Sequence, residues 1–144
     1  MIDVVEILRS VHGHAGLLAV AGLVHPAVFL REGRRLTRGQ RASVVVSSCL
    51  FLGVYGSGLA LYPRYREQER PAMMNDNFAL AMWFERKEHL AFVAVVLVAT
   101  ALGLVLLDRA GSLHRPARWM FGIAAALGLA VAAVGTLVGG WRPG

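Results

Sequence analysis

Five histidines, His12, His14, His25, His89 and His114, are the side chains of this 144-residue chain best suited to coordination or proton transfer, because imidazole titrates near neutrality and offers a nitrogen lone pair. His12 and His14 form an HxH pair, and His89 ends the run of ionisable residues in WFERKEHLAF, four positions after Glu85. On a helix Glu85 and His89 share a face. Joined by His12 and His14, they compose a carboxylate and imidazole set suited to zinc, iron or copper. HxH side chains lie ~200° apart on a helix, so only one faces an interior unless the helix begins at His14. His25 follows His14 by about eleven residues, which puts both on one face roughly 16 Å apart. It lacks a matching partner on another segment, so a lone histidine beside Pro26 competes with its reading as a ligand.

The elements that must position these residues are membrane helices. Hydrophobic residues make up 56% of the chain. Ser10 to Leu30, Ala42 to Pro63, Leu90 to Leu107 and Trp119 to Trp141 lack Lys, Arg, Asp and Glu altogether. Each approaches the ~20 residues that cross a ~30 Å hydrocarbon core. These segments have almost no polar faces, which excludes a water-soluble bundle. The fold expected is therefore all-α, an integral membrane up-down four-helix bundle forming one domain over residues 1–144. Its helices fall near 4–31, 41–63, 78–107 and 117–141. Pro63 is expected to end the second helix, leaving 63–77 as the longest loop. Gly135 and Gly139 form a GxxxG step suited to close packing in the last helix.

The distance from His14 forward to Arg31 nearly equals that from His89 forward to Leu107. At a rise of ~1.5 Å per residue both histidines stand roughly 26 Å from the same end. In an up-down bundle the first and third helices are diagonal. Two level imidazoles across a core suit axial ligation of haem b. Gly13, Gly16, Gly56, Ser57, Gly58, Gly135 and Thr136 stand at similar heights and leave room for a macrocycle. Arg64 and Arg66 are placed to pair with propionates, and Tyr55 to donate a hydrogen bond. The arrangement resembles the four-helix membrane b-type cytochromes, with their diagonal bis-histidine haem. That resemblance implies electron transfer with a quinol or a partner cytochrome. A subunit contacting other membrane subunits, or a His/Glu transition-metal site, is the alternative.

The formal charge of +6 is carried at helix ends rather than on a basic domain, which argues against nucleic acid and for the lipid bilayer as partner. Lys87 is the single lysine among 15 basic residues, an arginine bias suggesting a GC-rich bacterium and hence its cytoplasmic membrane. Arg31, Arg34, Arg35, Arg38 and Arg41 crowd the first loop, which places that loop inside and both termini outside. Cys49 is alone, so no intrachain disulfide can form and no thiol pair is available for redox work. The apolar spans carry no carboxylate, which disfavours a proton-coupled exporter. For Glu85 to Glu88 the simplest reading is an interfacial first turn.

Overall fold

A computed structural model describes residues 4–108 and 110–140 of the chain. Helix α1 spans Val4–Phe29, α2 Arg38–Arg64, α3 Arg70–Asp76, α4 Phe78–Leu107 and α5 His114–Gly139, with a π-helical turn at Tyr65–Glu69 between α2 and α3. Trp141, the expected end of the last span, lies outside the described residues. Thr37 starts α2 through a reciprocal cap: its hydroxyl accepts from Gln40 N, and the Gln40 side chain accepts from Thr37 N at 3.0 Å. Asn77 Oδ1 accepts from Leu80 N at 3.1 Å and starts α4. Each device satisfies amide donors that a helix start leaves orphaned.

Around the bundle the order is α1, α2, α4, α5, with each helix packed on the next and α5 closing on α1. Among the described residues α1 and α4 do not pack on one another, so they are the diagonal pair expected. Alternate helices reverse direction. One end, termed basic, gathers the α1–α2 and α4–α5 connections; the other, of mixed charge, gathers the start of α1, the end of α2, α3 and the start of α4. Leu23, Leu30, Val44, Val98, Val105 and Phe121 fill the middle and the basic half of the core. Gly128 brings α5 against α1, since a Cβ there would stand 2.6 Å from Val20 Cγ2. Positions Gly135 and Gly139 have open space instead, so the close approach falls two turns earlier than the GxxxG step.

The four long helices are apolar enough to cross a membrane, and Leu18, Val46, Leu59, Val96 and Leu129 are exposed on the outside. Such an exterior suits hydrocarbon rather than water. The protein is a multi-pass membrane protein of four-helix bundle type. Even the shorter helices, α1 and α5, have 26 residues each. At a rise of ~1.5 Å per residue such a helix reaches roughly 39 Å, enough to span with some tilt.

The stretch expected to be the longest loop is mostly helical. Pro63 lies inside α2, and the chain continues through the π turn into α3. Arg70 N bonds Tyr65 O, five residues back. Pro71 has no N–H, and its ring would press on the carbonyl four residues earlier in a regular helix; the wider turn directly before it absorbs the misfit. The Glu85 to Glu88 run is likewise not a first turn. Asn77 caps α4 two turns upstream, which puts the charges inside the helix.

Candidate functional site

Buried residues define an inner seam on each diagonal helix. On α1 it runs through Ala19, Leu23 and Pro26 to Leu30 just past its end, and on α4 through Ala94, Val98, Ala101 and Val105. Both follow the alternating three- and four-residue steps of a packed bundle. Carried toward the mixed-charge end, the α1 seam passes Gly16 and reaches His12, while the α4 seam passes Ala91 and reaches Lys87, then Phe84. His12 precedes Leu30 by as many positions as Lys87 precedes Val105. With a constant helical rise, the two side chains are therefore level. Both are half-buried, and Lys87 acts on His12 electrostatically. The side chains that the two seams carry toward the interior at this end are thus His12 and Lys87.

The neighbours of His12 hold it in one tautomer. Ser57 Oγ donates its proton to Val54 O at 2.7 Å, leaving a lone pair for His12 Nδ1–H at 2.9 Å. Nε2 then carries the free lone pair. Gly58 makes room for the ring, since a Cβ there would stand 3.0 Å from His12 Cε1. Opposite, Lys87 Nζ lies 3.9 Å from the centre of the Phe84 ring, a cation–π contact that offsets part of the cost of drawing an ammonium out of water. Half-buried Glu88 is its electrostatic neighbour. Tyr65 stacks on Phe84 at 3.6 Å and is buried, with no hydrogen-bond partner for its hydroxyl among the described residues. Two ion pairs frame the cluster: Arg70 with Glu85 at 2.7 Å, and Arg9 with Glu69. They hold α3 on α4 and the π turn on α1.

The other residues singled out in the sequence sit apart from this cluster. His14 and His89 are both exposed, and each gives Nδ1–H to the carbonyl four residues back, Ser10 at 2.8 Å and Glu85 at 2.9 Å. Each lies two positions, hence ~200°, from the seam residue of its own helix. His25 is exposed, with its ring edge-on to Phe29 at 6.4 Å. Glu85 serves Arg70 rather than an imidazole. Tyr55 and Arg64 are half-buried on α2, and Arg66 is exposed on the π turn. Among the described residues no three His, Cys, Asp or Glu side chains converge on a metal position, so the set of His12, His14, His89 and Glu85 is not assembled. Of the glycines expected beside a macrocycle, Gly58 faces the His12 ring, and Gly13, Gly56 and Gly135 have open space.

Residue type alone does not single out Lys87, Glu88 or Tyr65. His114, which the sequence pattern leaves in a connection, is the first residue of α5 and buried on its seam. Its Nδ1–H reaches Arg31 O at 3.3 Å. At this basic end the two connections are locked together. Gly33 N bonds Gly111 O at 3.0 Å. Gly111 has φ +86° and packs where a Cβ would meet Arg34 O at 2.8 Å, so both conformation and space demand glycine. Asp108 lies below the ordinary carboxylate range because its carboxylate accepts from Leu113 N, and also from Gly111 N, Ser112 Oγ and Ala110 N.

Comparison with known proteins returns no family model, no curated protein and no solved structure that matches the chain.

Proposed function

We propose that the chain is a membrane subunit that receives the head group of a quinol at its mixed-charge end. The observation that carries this reading is the level, half-buried His12 and Lys87 pair on diagonal helices, above a core of apolar side chains. A hydroquinone ring is apolar with a hydroxyl at each end. Sites for such molecules lie between bundle helices, with aromatic walls and a few convergent polar groups. Here Tyr65, held by its stack on Phe84, supplies the aromatic neighbour. His12 Nε2 and the Glu88 carboxylate accept the hydroxyl protons, and Lys87 and the Tyr65 hydroxyl donate to oxygens that lose them. Oxidation of quinol to quinone releases two protons and two electrons. The protons pass to His12 and Glu88, whose positions suit general bases; the electrons go to a partner cytochrome, which makes the chain one component of a larger membrane complex.

Tryptophan fluorescence tests this reading. Trp83 lies one turn before Lys87, and a chain with Trp119→Phe and Trp141→Phe isolates it as reporter. In nanodiscs a short-chain quinone is expected to quench Trp83 saturably. Quenching that only rises linearly with quinone in the lipid overturns the reading.

A second reading is haem b ligated by His14 and His89. It is favoured by the two Nδ1–H bonds to backbone carbonyls, which leave each Nε2 with the lone pair an axial ligand needs. Because the two imidazoles are exposed and point away from the seams of diagonal helices, such a haem would join His14 of one chain to His89 of a second copy. Purification from haem-replete cells decides it. A Soret band lost in His14→Ala supports haem, and a colourless protein removes it.

A further inference from the structure

We propose that the basic end holds a specific seat for the phosphate of an anionic phospholipid. A cleft of about 370 Å³ lies between the end of α1 and the start of α5, lined by Leu30, Arg31, Glu32, Arg115, Arg118 and Trp119. Three arginines and a single glutamate thus share the lining. Among the described residues none of the three forms an ion pair.

Arg115 also occupies the first turn of α5, which has no acidic residue, and Arg118 follows directly after it. That is the unfavourable position for cations, because the exposed amides there already carry positive partial charge. The placement is costly alone and becomes favourable when an anion sits among the groups. Arg118 Nε donates to Ala27 O at 2.9 Å, which fixes the guanidinium plane beside the last turn of α1 and leaves both terminal nitrogens of the group free to donate. That remaining fork matches phosphate oxygens. Leu30 is fully buried and gives the cleft an apolar floor, while Trp119 is 66% exposed at its edge, the position of an interfacial anchor. Acyl chains then continue along the exposed Val24, Val28 and Ile123. A free phosphate ion would use the arginines but neither the tryptophan nor that apolar flank, so the lipid is the source assigned.

Native mass spectrometry of protein released from mixed phosphatidylglycerol and phosphatidylcholine nanodiscs tests the seat. The wild-type chain is expected to retain phosphatidylglycerol selectively. Arg115→Gln with Arg118→Gln is expected to lower that retention about thirtyfold, on the scale of one surface contact per arginine. Arg34→Gln with Arg38→Gln removes the same charge from the same end but outside the cleft, and is expected to leave retention within about twofold. Arg115→Gln alone, which keeps the Arg118 tie to α1, is expected to lose about fivefold and guards against a folding defect. Equal losses in the two double variants would show a diffuse surface charge and overturn the proposal. So would full displacement of the lipid by millimolar inorganic phosphate, which would assign the cleft to the free ion.

Discussion

One nitrogen of His12 is tied to Ser57 and the other is left as a lone pair, so the ring is oriented before any ligand arrives. Replacing Ser57 with alanine removes one acceptor for Nδ1–H and leaves only the Val54 carbonyl. The expected outcome is a mixture of tautomers in the ¹⁵N NMR signals of His12, where the wild-type chain gives one. Gly58→Ala acts through space, because its Cβ would press on Cε1 at 3.0 Å. The ring is then expected to move, weakening quinone quenching at least tenfold, ~1.4 kcal/mol. Asp108 allows a statement about pH at the other end. Its folded pKa is depressed by the loop amides, first that of Leu113, so the stabilisation it gives is present above the ordinary carboxylate range and is lost as pH falls through the depressed value. The amide shifts of Gly111 and Leu113 are expected to hold from neutrality to mildly acidic pH and to move below it. In Asp108→Asn they are expected to be displaced at every pH.

Between helices, packing in lipid depends on close contact more than on expulsion of water. Gly128 is where α5 comes nearest α1, and the atom opposite belongs to Val20, a stiff β-branched side chain. Gly128→Ala is expected to cost about 1–3 kcal/mol by overpacking, read as a lower unfolding midpoint in detergent. Gly135→Ala, with open space around it, is expected to stay within about 0.5 kcal/mol. The same element scale explains what the sequence reveals. Uncharged length showed four spans and their order, and up-down connectivity made α1 and α4 diagonal. The inward faces were harder to see, because a helix that is apolar all round has no polar side to mark the lipid. The signal was present in residue size: Ala91, Ala94, Val98, Ala101 and Val105 keep three- and four-residue steps that lead back to Lys87. Residue type draws notice to His14 and His89 instead, two positions away on each helix. Pro63 misleads in another way, since it lies inside α2 near its end instead of stopping it, and the π turn after it accommodates Pro71.

Taken whole, the molecule is a bundle with an apolar exterior, a packed middle and two unlike polar ends. The basic end is held by ties to the backbone, the Gly33 to Gly111 bond and the His114 to Arg31 bond; the mixed-charge end is held by side chains, in the Arg70–Glu85 and Arg9–Glu69 pairs. The arginine-rich first connection leads us to propose that the basic end faces the cytoplasm. Periplasmic reporter fusions at the C-terminus are expected to be active and fusions after Arg35 inactive, the reverse pattern opposing that orientation. The central claim is that the functional pair is the one on the seams, and its most direct measurement is the quinone titration of Trp83 fluorescence in four variants. His12→Ala and Glu88→Gln are expected to weaken saturable quenching at least tenfold, while His14→Ala and His89→Ala leave it within about twofold. Loss in His14→Ala and His89→Ala with none in His12→Ala and Glu88→Gln would contradict the account.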